Sequence, residues 1–179
     1  MKSEEWVVEV DQQDNLVGEV SREIAHDPTD QRLHREVMVL LYTNRHQTSF
    51  LLQRRSLNKK QMPGRWTLSV TGHVEFVDIS GNDPDGYLTA AARETKEEIA
   101  VEAKNLKLVK KIEQHIRENW AMMGVVTGEY EGELSIDLEE VSEVKVFTKE
   151  TVVGVSDKLT PGAKTCLEYL GLLGSKEKI

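Results

Sequence analysis

The chain has one cysteine, Cys166, which excludes an internal disulfide and suits a reducing compartment. It has no apolar run near the roughly 20 residues that a membrane-crossing helix needs. Its start, Met1-Lys2-Ser3-Glu4-Glu5-Trp6, has no apolar stretch of signal-peptide type, so a cytoplasmic setting is expected. Positive charge is in deficit: 23 Lys and Arg face 31 Asp and Glu, a net charge of −8. That excludes broad electrostatic binding to nucleic acid or to an anionic membrane. A small phosphorylated partner stays open, because a metal or a local basic patch overrides the global sign. Repeats and linkers are also missing, and 179 residues with 39% hydrophobic content fit one domain, 1–179, with a real core.

What the chain does have is a dense acidic stretch, Arg93-Glu94-Thr95-Lys96-Glu97-Glu98-Ile99, preceded by Ala90, Ala91 and Ala92. The alanines favour a helix. On it Glu94 and Glu98 are i and i+4 and share a face, which Glu97 borders. Three carboxylates so close repel one another unless a cation lies between them, and hard ions such as Mg²⁺ or Mn²⁺ take oxygen ligands of this kind. The alternative is a solvated acidic helix face.

Ahead of that helix, 66–71 (WTLSVT) reads as a strand and Gly72-His73-Val74-Glu75 as a turn, where Gly72 permits close approach of backbone and ligand. Residues 6–11 and 16–20 read as a hairpin and 24–30 as a loop. Residues 36–42 (EVMVLLY) read as a strand buried on both faces. Strands are also expected at 49–53, 105–114, 120–130 and 144–147, with a short helix starting near Thr148. A last helix spans 161–170, with Thr160 as N-cap and Pro161 in the first turn, stopping at Gly171. Cys166 lies on it as a small buried apolar residue.

The order strand, glycine turn, loop and acidic helix resembles the Nudix hydrolase signature: Gly, five residues, Glu, seven residues, then Arg-Glu-(apolar)-x-Glu-Glu-x-Gly-(apolar). Gly72, Arg93, Glu94, Glu97, Glu98 and Val101 stand in those roles. The spacing from Gly72 to Arg93 is seven residues too long, with the excess placed in the loop 76–86. Counting back from Arg93, Asp85 takes the place of the first signature Glu. Thr95 replaces an apolar residue and Ala100 the last Gly.

The resemblance implies an α/β/α sandwich with a central mixed sheet. It implies Mg²⁺ (or Mn²⁺) held by Glu94, Glu97 and Glu98, and hydrolysis of a diphosphate linkage in a small-molecule substrate. Glu94 or Glu118 is the candidate general base, Gly72 lies on the substrate side, and Arg93 fixes a carboxylate rotamer. A homodimer is left open, as no residue marks an interface.

The concentrated basic run, 54–60 (RRSLNKK), precedes the signature strand. Arg54, Arg55, Lys59 and Lys60 are either a solvated loop or a diphosphate clamp facing the acidic helix; in an acidic chain the clamp is the stronger reading. Over roughly residues 15–101 the chain also resembles the type 1 isopentenyl diphosphate isomerases, through His26, Leu33-His34, Arg54-Arg55-Ser56, Lys59-Lys60, 63–67 (PGRWT) and Gly72-His73. In those enzymes three His and two Glu hold a metal. His26, His34 and His73 stand in the His positions, Glu118 matches one Glu, and Trp120 occupies the other. The plain alternatives are a loop residue at 26, a surface residue at 34 and a turn residue at 73. Thr71 stands where the isomerases carry a catalytic Cys, and a threonine hydroxyl does not readily ionise. Hydrolase, isomerase and silent nucleotide-binding protein are therefore the three functional expectations, in that order.

Overall fold

The computed structural model describes residues 4–30, 32–116 and 119–174; among these a mixed nine-stranded sheet carries a helix on each side. Strands β1 (Trp6–Val10) and β2 (Leu16–Ser21) form the expected antiparallel hairpin, its turn closed by backbone N–H groups of Gln13 and Asn15 donating to the Asp11 carboxylate at 2.9 Å. Ser21 then caps a four-residue helix, α1 (Arg22–Ala25), where the sequence suggested only loop. Strands β3 (His34–Tyr42) and β4 (Ser49–Arg55) follow.

The expected strand at 66–71 is in fact two, β5 (Trp66–Thr67) and β6 (Val70–His73). The cause is Ser69, whose buried hydroxyl donates to the Leu51 carbonyl at 2.6 Å and accepts from the Leu41 N–H at 2.8 Å. It stands in for ladder bonds while the chain changes partner, since β5 pairs with β4 and β6 with β3. Gly72 and His73 thus lie in a strand, not in a turn.

Helix α2 (Tyr87–Ile99) carries the acidic residues. Its C-cap, Ala100, is left-handed at φ 57°, the conformation that the signature glycine would adopt more cheaply. Strands β7 (Lys104–Ile116), β8 (Asn119–Glu129) and β9 (Val141–Thr148), the short helix α3 (Lys149–Val152) and helix α4 (Pro161–Tyr169) complete the order. Thr160 caps α4, accepting from the Ala163 N–H, with Pro161 in the first turn as expected.

Strand β3 is central. It runs parallel to β8 from the pair His34–Ala121 to Tyr42–Glu129, and antiparallel to β6. Alternation sends Val37, Val39 and Leu41 into one core with Tyr87, Ala90, Ala91 and Ile99 of α2. It sends Met38, Leu40 and Tyr42 into a second core with Trp66, Leu68, and Cys166 and Leu167 of α4. Burial on both faces is as read from the sequence, and the two cores make the α/β/α sandwich.

Polar residues anchor the long loop before α2. Arg35, 2% exposed, donates Nε to Asp14 Oδ1 at 2.7 Å and Nη1 to the Asp85 carbonyl at 3.0 Å. Lys111 pairs with Asp85 at 2.6 Å and also reaches Asp14. Asp85 is therefore a tether for the loop and does not hold Arg93. That role falls to Asp78, 2% exposed, which accepts from Arg93 Nε at 3.1 Å and Nη2 at 2.9 Å. Asp78 sits six residues after Gly72, as the signature Glu does. The insertion lies after this position, so counting back from Arg93 lands on the wrong acid.

Candidate functional site

A cavity of about 990 Å³ gathers most of the residues singled out above. Helix α2 supplies Glu94, Glu97 and Glu98; β6 supplies Thr71, Gly72 and His73; β3 supplies Glu36. The N-terminal segment adds Trp6, Arg22 and His26, and the basic run adds Arg55, Lys59 and Lys60.

Glu94 and Glu98 turn inward together, as their spacing predicts, while Glu97 stays 60% exposed. Gly72 makes this packing possible, because a Cβ there would lie 2.1 Å from Glu94 Cδ. Its bare backbone is a seat for Glu94 rather than for a tight turn. Arg93 Nη1 donates to Glu94 Oε1 at 2.9 Å and Glu97 Oε2 at 3.4 Å, and Nη2 donates to the His73 carbonyl at 3.0 Å. The expected structural role of Arg93 matches this geometry. Gln53, 2% exposed on β4, donates to Glu98 Oε2 at 2.8 Å.

Burial raises Glu94 to about 7, against the attraction of Arg93. Burial, with repulsion from Glu94, raises Glu98 to about 8, against the Gln53 hydrogen bond. Two carboxylates, one buried and one largely so, that can lose their protons only at a cost are a good fit to a divalent cation, which would replace those protons.

The basic run divides. Lys59 pairs with Glu140, and Arg55 donates Nε to the Gln61 carbonyl at 3.1 Å. Burial lowers the pKa of Arg55, with Glu98 and Glu140 pulling the other way. Arg54 is not among the cavity-lining residues: its Nε donates to the Gly64 carbonyl at 3.0 Å and its side chain is 47% exposed, beside Glu143. Arg55 therefore lines the cavity and Arg54 does not.

Beside the acidic helix lies a second donor group: His26, His34, His73 and Glu36, with ligand atoms all within 4.8 Å of one another. Glu36 and His73 are paired across β3 and β6, and His34 is two residues from Glu36 on the same face. His34 is fully buried and is not the surface residue of the plain alternative. Its Nδ1 donates to the Arg32 carbonyl at 3.0 Å, and its Nε2 is buried without a hydrogen-bond partner, 3.6 Å from Glu36 Oε1. Such an orphaned atom among imidazoles and a carboxylate fits a metal ion, and a set of three nitrogens and one oxygen suits Zn²⁺, Mn²⁺ or Fe²⁺.

Burial lowers His26 to about 3, with further lowering by His73 and His34. Glu36 falls to about 2 although burial opposes it, because His34 and His73 stabilise the anion and Asn119 donates to it at 2.9 Å. Glu118, the expected acidic partner, lies outside the described residues. Glu36 was not singled out in the sequence, yet a lone acid at the head of an otherwise apolar strand is a visible signal.

The fold and site define an α/β/α sandwich whose cavity is walled by a triple-Glu helix and by a His₃Glu donor group. The NUDIX domain family model matches residues 32–170, and the chain belongs to that family. Its curated relatives include proteins named isopentenyl-diphosphate Delta-isomerase. That of Streptomyces avermitilis is 37% identical over 92 residues, 51% of this chain and 42% of the relative. That of Citrobacter koseri is 36% identical over 104 residues, 57% of this chain and 51% of the relative. The matches thus span about half or less of those relatives. Among solved structures, a Deinococcus radiodurans protein superposes with TM-score 0.71 at 19% identity, covering 92% of this chain and 98% of that one. The NUDIX domain of NrtR from Shewanella oneidensis, solved with ADP ribose, gives TM-score 0.60 at 18% identity, covering 78% and 85%. These likenesses establish the fold. Among the described residues no helix is long and apolar enough to cross a membrane.

Proposed function

We propose that this chain is a metal-dependent hydrolase that cleaves the diphosphate linkage of a nucleoside diphosphate derivative or a related organic diphosphate. The observation that carries the reading is one cavity in which Glu94, Glu97 and Glu98 face Arg55, Lys59 and Lys60. A diphosphate could not lie against so many carboxylates without divalent cations between them. A divalent ion held by Glu94, Glu97 and Glu98 would supply charge neutralisation on the phosphate oxygens and acidify the attacking water. Arg55, Lys59 and Lys60 orient the diphosphate, Arg55 as a bidentate partner and the lysines as point charges. Water attacks one phosphorus, the bridging P–O bond breaks, and the leaving phosphate departs with the electron pair. We assign removal of the water proton to Glu94, held by Arg93 over Gly72.

The runner-up is isomerisation of an isopentenyl-type diphosphate, which the His₃Glu group and the names of the relatives favour. Thr71, at the position of the isomerase Cys, lines the cavity and weighs against it, because a hydroxyl is a poor proton-transfer group at neutral pH. A panel of nucleoside diphosphate derivatives with Mg²⁺ or Mn²⁺, run beside an isopentenyl diphosphate isomerisation assay, separates the readings. Cleavage lost in Glu97→Gln supports the hydrolase. Isomerisation without cleavage would replace it with the runner-up. Tight nucleotide binding with neither reaction would replace it with a silent binding protein.

A further inference from the structure

Residues 4–26 precede the segment that the family model matches, yet they reach the cavity and touch its donor group. Glu5 stands just before β1. Its Oε1 lies 2.8 Å from His73 Nδ1, and its Oε2 accepts from Arg22 Nη1 at 2.8 Å. The Arg22 N–H also donates to the Glu5 carbonyl at 2.8 Å, so Glu5 is held by main chain and side chain together. A carboxylate only accepts, so the proton of the neutral His73 ring sits on Nδ1. That leaves the Nε2 lone pair aimed into the donor group, where it accepts from His26 Nε2 at 3.0 Å, 3.6 Å from Glu36 Oε1; Gln61 Nε2 donates to the other His26 nitrogen at 3.3 Å. His34 shows the same plan with a backbone carbonyl as the outer partner. His73 is 8% exposed, so little water can substitute for the Glu5 contact.

We propose that Glu5, braced by Arg22, is a positioning residue that fixes the tautomer and ring angle of His73 for a divalent metal ion held by His26, His34, Glu36 and His73. The N-terminal segment before the family core is thereby part of the metal site: it contributes one donor, His26, and the outer support of another. The inference rests on that donor group binding metal and is independent of which reaction the cavity performs. Outer partners of this kind are typically worth 10–100-fold in metal affinity.

The test uses the full chain and Co²⁺, whose visible spectrum reports nitrogen ligation, with ring ¹⁵N–¹H correlation spectra of the metal-free protein as a second readout. Glu5→Ala is expected to bind Co²⁺ about 10–100-fold more weakly and to turn His73 from the Nδ1–H form to a tautomer mixture. Glu5→Gln keeps an acceptor oxygen and is expected to retain the Nδ1–H form with affinity within a few-fold of the parent. It also keeps the test decisive if Glu5→Ala fails to fold. Arg22→Ala is expected to fall between them. Parent-like Co²⁺ affinity and tautomer in Glu5→Ala would overturn the positioning role alone. No nitrogen-ligated Co²⁺ in the parent protein would overturn the metal site and the proposal with it. Glu5→Gln as weak as Glu5→Ala would overturn the hydrogen-bond account.

Discussion

Two donor groups share one cavity and are prepared for metal in opposite ways. The imidazole group holds its protons weakly: His26 is pushed down to about 3, Glu36 to about 2, and His34 Nε2 is buried without a hydrogen-bond partner. The acidic helix does not: Glu94 and Glu98 hold protons up to about 7 and 8. At neutral pH an ion entering the second group must release those carboxyl protons. Neighbours account for the difference. Around Glu36 they are imidazoles and the Asn119 amide, which lower it; Glu94 is raised by burial, with Glu97 and Glu5 adding, and Glu98 by burial and Glu94.

The sharpest way to break this comparison is to disable each group alone. Glu98→Gln is expected to lower kcat on a cleavable diphosphate by about 10²–10³-fold, while ion bound at the imidazole group, measured by elemental analysis, stays unchanged. His26→Ala should do the reverse to the bound ion. If either variant lost both properties, the two groups would be one centre.

Gly72→Ala comes next. A methyl 2.1 Å from Glu94 Cδ must displace that carboxylate, which should cost about 1–3 kcal/mol in stability and most of the activity. Thermal unfolding and kinetics would read both; an active, stable Gly72→Ala would mean that Glu94 does not need its seat. Arg55→Ala is expected to raise KM about ten-fold or more with kcat little changed, while Arg54→Ala leaves KM where it was. Equal effects would return the clamp to a diffuse basic surface.

A smaller effect is the pH slope of the metal-free protein. Glu94 and Glu98 have raised folded pKa values, so their stability contribution is full below about 4.5 and is lost as pH rises through about 7 and 8. His26 slopes the other way, its contribution falling as pH drops from 6.5 toward 3. Above pH 6.5 the acidic slope should dominate, giving a melting temperature that falls toward about pH 8.5 and flattens when Mg²⁺ is added. A flat metal-free profile would contradict the contrast between the groups. The smallest expected effect is Ala100→Gly, which relieves a left-handed C-cap and should raise stability by about 0.5–1 kcal/mol in a thermal melt.

The acidic helix, both cores and the C-terminal helix were legible because each follows a local rule: i, i+4 spacing, strand alternation, and a Thr-Pro start. Gly72, Arg93 and the His trio were legible through resemblance. What was not legible depends on contacts distant in sequence. Ser69 divides a strand by bonding two others, and Glu5 reaches His73 across 68 residues. Arg54 and Arg55 look alike in a basic run, yet Arg55 lines the cavity and Arg54 does not. Asp78 could have been found by counting forward from Gly72, but a single sequence does not say on which side of an acid an insertion lies.

Strand β3 begins His34-Arg35-Glu36 and continues as uninterrupted apolar residues to Tyr42. An apolar run buried on both faces reads equally well if the strand slides by one residue, because either face accepts it. The three polar residues at its head do not. Such a slide would thrust the Arg35 guanidinium among the imidazoles and strand His34 and Glu36 beside Asp14 and Tyr87. The strand is thus keyed in place by its buried charges and not by its grease. A one-residue insertion or deletion within 34–42 should therefore abolish folding outright, even where it leaves the apolar content of the strand unaltered.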